Sequence, residues 1–196
     1  MEKSLSILRP GGNMTIEFNK ETFTKRWTEM LEAQKKLDER IIQGNGLTYA
    51  DLYNSDRYQH ALLDELGELN HERKANWCWW KKTQAPVDKT KVLEEFVDCL
   101  HFVLSWQLAT LEVEPNVGYL PAEAAWNAYK RGDGCTTVQA VVYVKGVSKF
   151  FGHAYTTPPV SAMIRLMNGL ELDYGDVYNA YMAKNRVNHE RQDNGY

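Results

Sequence analysis

The sequence predicts an all-α fold, a helical bundle in which two acidic helices are paired. Three observations carry that prediction. Apolar residues recur at three- and four-residue steps over long segments, the period of one helix face. Two carboxylate pairs, Glu65 with Glu68 and Glu95 with Asp98, repeat the three-residue step among apolar neighbours. Glycine and proline punctuate the joints between these segments. The expected arrangement is about seven helices in one domain over 15–196, behind a loose lead of residues 1–14 that Pro10, Gly11 and Gly12 interrupt.

The first helix is read from Phe23, Trp27, Met30, Leu31, Gln34, Leu37 and Ile41, and Gly44-Asn45-Gly46 ends it. A second, about Ser55 to Ala75, carries Glu65 and Glu68. Trp77 to Lys82 follow as WCWWKK, and Pro86 enforces a break. The third, about Asp88 to Leu111, carries Glu95 and Asp98 on a long apolar helix. Pro115 and Gly118 separate it from a helix beginning at Pro121 and reaching Tyr129, and Arg131-Gly132-Asp133-Gly134 forms a turn. Over Thr136 to Phe151 the run Val141-Val142-Tyr143-Val144 favours a strand on propensity. The length of the segment and its helical neighbours favour a helix, which is the prediction here. Pro158-Pro159 opens a short helix to about Leu170. Asp173 is an N-cap for the last, which runs to about Glu190.

Composition excludes several classes. The chain has 196 residues, 43% hydrophobic and 25% charged, which are globular values. A net charge of -3 gives no polyanion-binding surface, so direct nucleic-acid binding is not expected. Cys78, Cys99 and Cys135 are odd in number and lack metal-type spacing, and Cys99 reads as a small core residue. No secretory leader is visible and no segment is expected to reach the apolar length of a membrane span, so the expected setting is reducing and cytoplasmic.

The carboxylates are the chemical core of the sequence. Residues three apart on a helix are spatial neighbours. Two such pairs on facing helices would converge four carboxylates, a hard-oxygen set suited to Mg²⁺ and a phosphate substrate. A single Glu-x-x-Glu is ordinary on a solvated helix. These are set among Leu62, Leu63, Leu66 and Leu69, and among Leu93, Phe96, Val97, Leu100 and Phe102. Carboxylates in such surroundings need pairing or a metal. The other reading is a bundle surface with rim acids.

A second constellation lies near the C-terminus. Lys184, Asn188 and Arg191 fall four and three apart on one helix face, a grip for phosphate oxygens. The helix dipole explains basic residues at that end equally well. In the WCWWKK stretch, Trp77 and Trp79 are expected to pack in the core or loop, while one indole can border a base and Lys81 or Lys82 can meet a phosphate.

ELGELNHE, the Trp-Lys-Lys loop, LEEFVDCLHFVLS and the terminal YMAKNRVNHERQDNGY together resemble the dimeric all-α dUTPases. These belong to the all-α NTP pyrophosphatase superfamily that includes the MazG-type enzymes. MLEAQKKLDERI is similar to the first helix of that family, particularly in its phage-encoded branch, for which the setting is the host cytoplasm. The resemblance covers about residues 27–111 and 174–196. It implies Mg²⁺ ligands and catalytic carboxylates at Glu65, Glu68, Glu95 and Asp98. It implies triphosphate contacts from Lys184, Asn188 and Arg191, with Tyr196 near the closed site. Trp80, Lys81 and Lys82 match the loop between the acidic helices. In the family the first helix gives a glutamine and an asparagine to uracil; here Gln34 and Asp38 occupy that segment, with Asp in place of Asn.

The implied reaction is dUTP plus water giving dUMP and diphosphate, which limits uracil in DNA and supplies dUMP. Asp38 keeps a dCTP-preferring or broader pyrophosphatase open, because a carboxylate accepts from a cytosine amino group. A partner-binding regulator acting through 113–170 is the reading of a different class. The resemblance also implies a homodimer, which the apolar extent of the helices fits.

Overall fold

The computed structural model describes residues 19–115, 121–149 and 159–195. The expected lead of 1–14 and Tyr196 lie outside the described residues. Among the described residues there are eight α-helices and no strand: α1 (Lys20–Gly44), α2 (Tyr49–Tyr53), α3 (Arg57–Glu72), α4 (Lys89–Val113), α5 (Pro121–Arg131), α6 (Thr137–Lys149), α7 (Val160–Gly169) and α8 (Tyr174–Asp193). A single 3₁₀ turn, Lys74–Asn76, follows α3.

α1 begins three residues before the apolar stripe because Asn19 caps it, accepting from the Thr22 amide at 2.9 Å. Its buried residues Phe23, Trp27, Met30, Gln34, Leu37 and Asp38 keep helical spacing. α2 was not foreseen. Five residues are too few to show a period, and the signal is a capping box in which Thr48 and Asp51 exchange side-chain and backbone bonds.

α4 is the axis of the bundle and touches α1, α2, α3, α7 and α8. Val92, Phe96, Val97, Cys99, Leu100, Val103, Leu104, Trp106 and Ala109 are buried around most of its circumference, as a helix largely enclosed by others requires. This corrects one expectation: Lys89–Val113 is by length and composition long and apolar enough to cross a membrane. Two thirds of its most apolar window (67%) is buried by the other helices, which marks a core helix.

The Val141–Val144 run is helical. Ala140 and Val144, four apart, are buried, while Val142 and Tyr143 are exposed; that one-sided pattern has the period of a helix. α7 supplies Val160, Met163, Ile164, Leu166 and Met167 to the core. The turn before α6 is pressed onto the C-terminal end of α7, where the Cys135 amide donates to Arg165 O at 2.9 Å. Gly169 lies so close to the Cys135 backbone that no Cβ fits there. α8 starts at Asp173, whose side chain accepts from the Gly175 and Asp176 amides. It lies along α1 and α4, with the Tyr181 hydroxyl seated against α1, 3.3 Å from Met30 O.

Candidate functional site

α3 and α4 pack against each other, and their apolar stripes fix which faces meet. Leu62, Leu66 and Leu69 of α3 and Phe96, Leu100 and Val103 of α4 are buried. The residues flanking those stripes meet at the rim of the contact. There Glu65 of α3 and Glu95 and Asp98 of α4, all half-buried, bring one carboxylate oxygen each to within 4.8 Å of one another. Glu68, one turn further on, is exposed and outside that trio. With Glu72, Glu95 and His71 it lines an open groove beside the trio.

The electrostatics follow from crowding. Burial, then the charges of Asp98, Glu68 and Glu95, push the Glu65 carboxyl up to about 7. Burial, then Asp98 and Glu68, also raise Glu95, against a smaller pull from the Lys184 ammonium. Glu68 therefore acts on the trio through its charge.

Lys184 comes in from α8. Its Nζ donates to Asp98 Oδ2 at 2.7 Å. Asn188 and Arg191 continue the same α8 stripe, and Arg191 Nη1 donates to Asn188 Oδ1 at 3.4 Å. Of the predicted phosphate grip, then, the structure brings Lys184 to the carboxylates. Lys81 and Lys82 are exposed on the loop between α3 and α4. The three indoles of that loop form a cluster of their own, Trp80 lying 5.7 Å from Trp77 and 5.8 Å from Trp79 between ring centroids. Trp77 fits the expected loop packing, since its indole donates to Asn70 O at 2.8 Å. Trp79 does not: it is 88% exposed and reaches no core, because the turn that brings Cys78 inward sends both its neighbours out.

Gln34 and Asp38 are one α1 turn apart and buried. Gln34 Nε2 donates to Asp38 Oδ1 at 2.6 Å, and the Tyr49 hydroxyl donates to Asp38 Oδ2 at 3.1 Å. Ser105 also bonds this carboxyl. Burial outweighs those bonds and pushes Asp38 up to about 6. Tyr181 Oη donates to Gln34 Oε1 at 2.7 Å, and His101 Nδ1 lies 2.7 Å from the same oxygen. His101, Ser105, Tyr49 and Tyr181 were missed from sequence. Spacing held a clue for two of them: His101 is three residues after Asp98, and Tyr181 three before Lys184, each on the face of a predicted site residue.

A family model described as dUTPase matches residues 26–196. The chain belongs to the dUTPase family. The match starts within α1 and runs to the end of α8, so the fold here is an all-α dUTPase fold and the carboxylate rim lies inside it. As a dUTPase the chain is a hydrolase of nucleotide metabolism, a dUTP diphosphatase converting dUTP and water to dUMP and diphosphate. No curated protein matches it.

The donor set of this dUTPase also suits a divalent metal. Three carboxylate oxygens from two helices form a hard, anionic cluster. Burial first, and then the charges of Asp98 and Glu68, raise both Glu65 and Glu95, and a cation among the carboxylates offsets both effects.

Proposed function

We propose that dUTP is hydrolysed at the rim between α3 and α4, with Glu65, Glu95 and Asp98 holding Mg²⁺ and Glu68 beside them in the groove. The observation that carries this reading is the convergence of those three carboxylates from two helices. Bound there, Mg²⁺ supplies charge stabilisation at the phosphate oxygens and acidifies a coordinated water. Burial and the neighbouring carboxylates raise Glu65 to about 7, so its ionised form is basic enough to take a proton from the attacking water; Glu68 is the alternative base, being exposed in the groove. Lys184 and Arg191 face the charge on the phosphates, with Asn188 between them on the stripe. Tyr196, Lys81 and Lys82 extend this set on the strength of the resemblance. Gln34 and Asp38 read the base, and Trp80 borders it from the loop.

The test is diphosphate release from each deoxynucleoside triphosphate with Mg²⁺, in wild type, Glu65→Gln and Asp98→Asn. Turnover of dUTP that both substitutions abolish supports the assignment; full activity in either variant refutes it. A preference for dCTP is the second reading, favoured by a carboxylate at position 38 set among donors. A homodimer is the assembly we propose, supported by Val138 and Val142, exposed on one face of α6. A monomeric mass by light scattering refutes it. A protein partner at 113–170 is tested by capture with the intact chain, to be lost on substituting the exposed Val142 and Tyr143 of α6.

A further inference from the structure

One buried atom in the base-side network has no use in the account above. His101 Nε2 is sealed from solvent and has no hydrogen-bond partner among the described residues. Its neighbours decide which ring nitrogen carries the proton. An ionised carboxylate only accepts, so the Gln34 NH₂ faces Asp38, 2.6 Å away. The Gln34 carbonyl oxygen then faces His101 Nδ1 at 2.7 Å and the Tyr181 hydroxyl at 2.7 Å. That oxygen accepts from both, which puts the imidazole proton on Nδ1. Burial, and then the charge of Lys184, push the ring down to about 3, so it is neutral. Nε2 is therefore a bare lone pair. The ring is also fixed in place, stacked on Tyr181 with centroids 4.4 Å apart. Buried acceptors without partners are rare and destabilising.

Placement suggests what it waits for. His101 follows Asp98 on one face of α4, about 4.5 Å further along the axis at 1.5 Å per residue. On its other side lie Gln34 and Asp38. His101 thus joins the α4 turn that carries Asp98 to the pair assigned to the base, with Nδ1 on Gln34 and Nε2 on the opposite edge of the ring, along the stretch that the nucleoside half of a nucleotide has to span.

We propose that His101 is a specificity-determining residue of this site, held as the Nδ1–H tautomer by Gln34 so that Nε2 accepts a hydrogen bond from an N–H or O–H donor of the bound deoxynucleoside. This rests on the dUTP reading above. Uracil offers N3–H and the sugar offers its 3′-hydroxyl; the two are the same chemistry at Nε2 and are separated by analogues.

The substitution that isolates the atom is His101→Asn, whose amide can replace Nδ1–H toward Gln34 and places nothing at Nε2. kcat and KM are measured for dUTP, N3-methyl-dUTP and 2′,3′-dideoxyuridine triphosphate. Wild type is expected to disfavour one analogue by about tenfold, the scale of one lost hydrogen bond. His101→Asn is expected to raise KM for dUTP by about the same factor and to leave that analogue unchanged. Loss of discrimination against the N3-methyl compound assigns the base, and against the dideoxy compound the sugar. Discrimination that survives His101→Asn for both overturns the proposal. ¹⁵N-histidine spectra of the wild-type protein give a readout without turnover: an Nδ1–H tautomer, with the Nε2 resonance moved by added dUMP. An Nε2–H tautomer, or an Nε2 resonance that dUMP leaves in place, overturns the proposal as well. If no triphosphate is hydrolysed, the catalytic reading fails, and the spectra still decide the role of His101.

Discussion

Removing the Lys184 ammonium should tighten divalent-metal binding while slowing hydrolysis. Lys184 Nζ and Asp98 Oδ2 are 2.7 Å apart, and both side chains are mostly covered, 28% and 20% exposed. At that exposure solvent screens the pair only in part. A hydrogen bond between charged groups in such a setting contributes about 1.5–3 kcal/mol. A metal ion entering at Asp98 competes with this bond. In Lys184→Met, which keeps the apolar stem, that competition is gone. Since about 1.4 kcal/mol is a factor of ten, metal affinity should rise about tenfold or more. Calorimetric titration with Mg²⁺, or Mn²⁺ followed by electron paramagnetic resonance, measures this directly. Turnover of dUTP should fall by about 10²-fold or more, as on losing a preorganised charge facing the reacting phosphate. Unchanged or weaker metal binding in Lys184→Met would refute the reasoning, because the lysine would then be supporting the carboxylates rather than competing for one.

The remaining expectations concern stability and selectivity. Glu65 has a folded pKa of about 7, above its ordinary 4.5. The folded state therefore binds the extra proton between those values, and the metal-free protein loses stability as pH rises from about 4.5 to 7. Glu65→Gln should accordingly raise Tm at pH 8 and leave it nearly unchanged at pH 4; equal shifts at both would remove the titration argument. Gly169→Ala forces a methyl into the Cys135 backbone and should destabilise by about 1–3 kcal/mol, several degrees of Tm by calorimetry. Asp38→Asn keeps an acceptor for Gln34 and removes a buried charge, so its stability should stay within about 1 kcal/mol of wild type. In competition assays it should shift turnover toward dUTP over dCTP; no change in that ratio separates Asp38 from base reading.

Much of this was legible because it depends on local periods. The three-residue step of Glu65–Glu68 and Glu95–Asp98 exposes itself in any one-dimensional reading, and so does the α1 stripe from Phe23 onward. Which member of each pair points at the other helix was not legible. Glu68 falls outside the trio because α3 turns its Leu62–Leu66–Leu69 face to α4, which leaves Glu65 at the rim and Glu68 in solvent. The bond from Lys184 to Asp98 joins residues 86 apart, and that from Tyr181 to Gln34 joins residues 147 apart. No local pattern encodes either. Trp79 misled because a large indole reads as core, whereas the tight turn around buried Cys78 leaves it outside. The Val141–Val144 run had strand propensity, which burial on a single helical face overrode.

Two of the three clustered carboxylates ride on α4, the helix enclosed by five others. Segments with that many neighbours open only when the whole domain opens, so their amides are the last to exchange. Glu95 and Asp98 therefore inherit the lifetime of the native state. α8, which carries the lysine, packs mainly on α1 and α4, so fewer contacts have to break for its amides to open. An α8 that opens first would loosen Lys184 while the α4 carboxylates stay in register. Hydrogen exchange should register this as two separate protection classes on opposite sides of the 2.7 Å bond between Lys184 and Asp98.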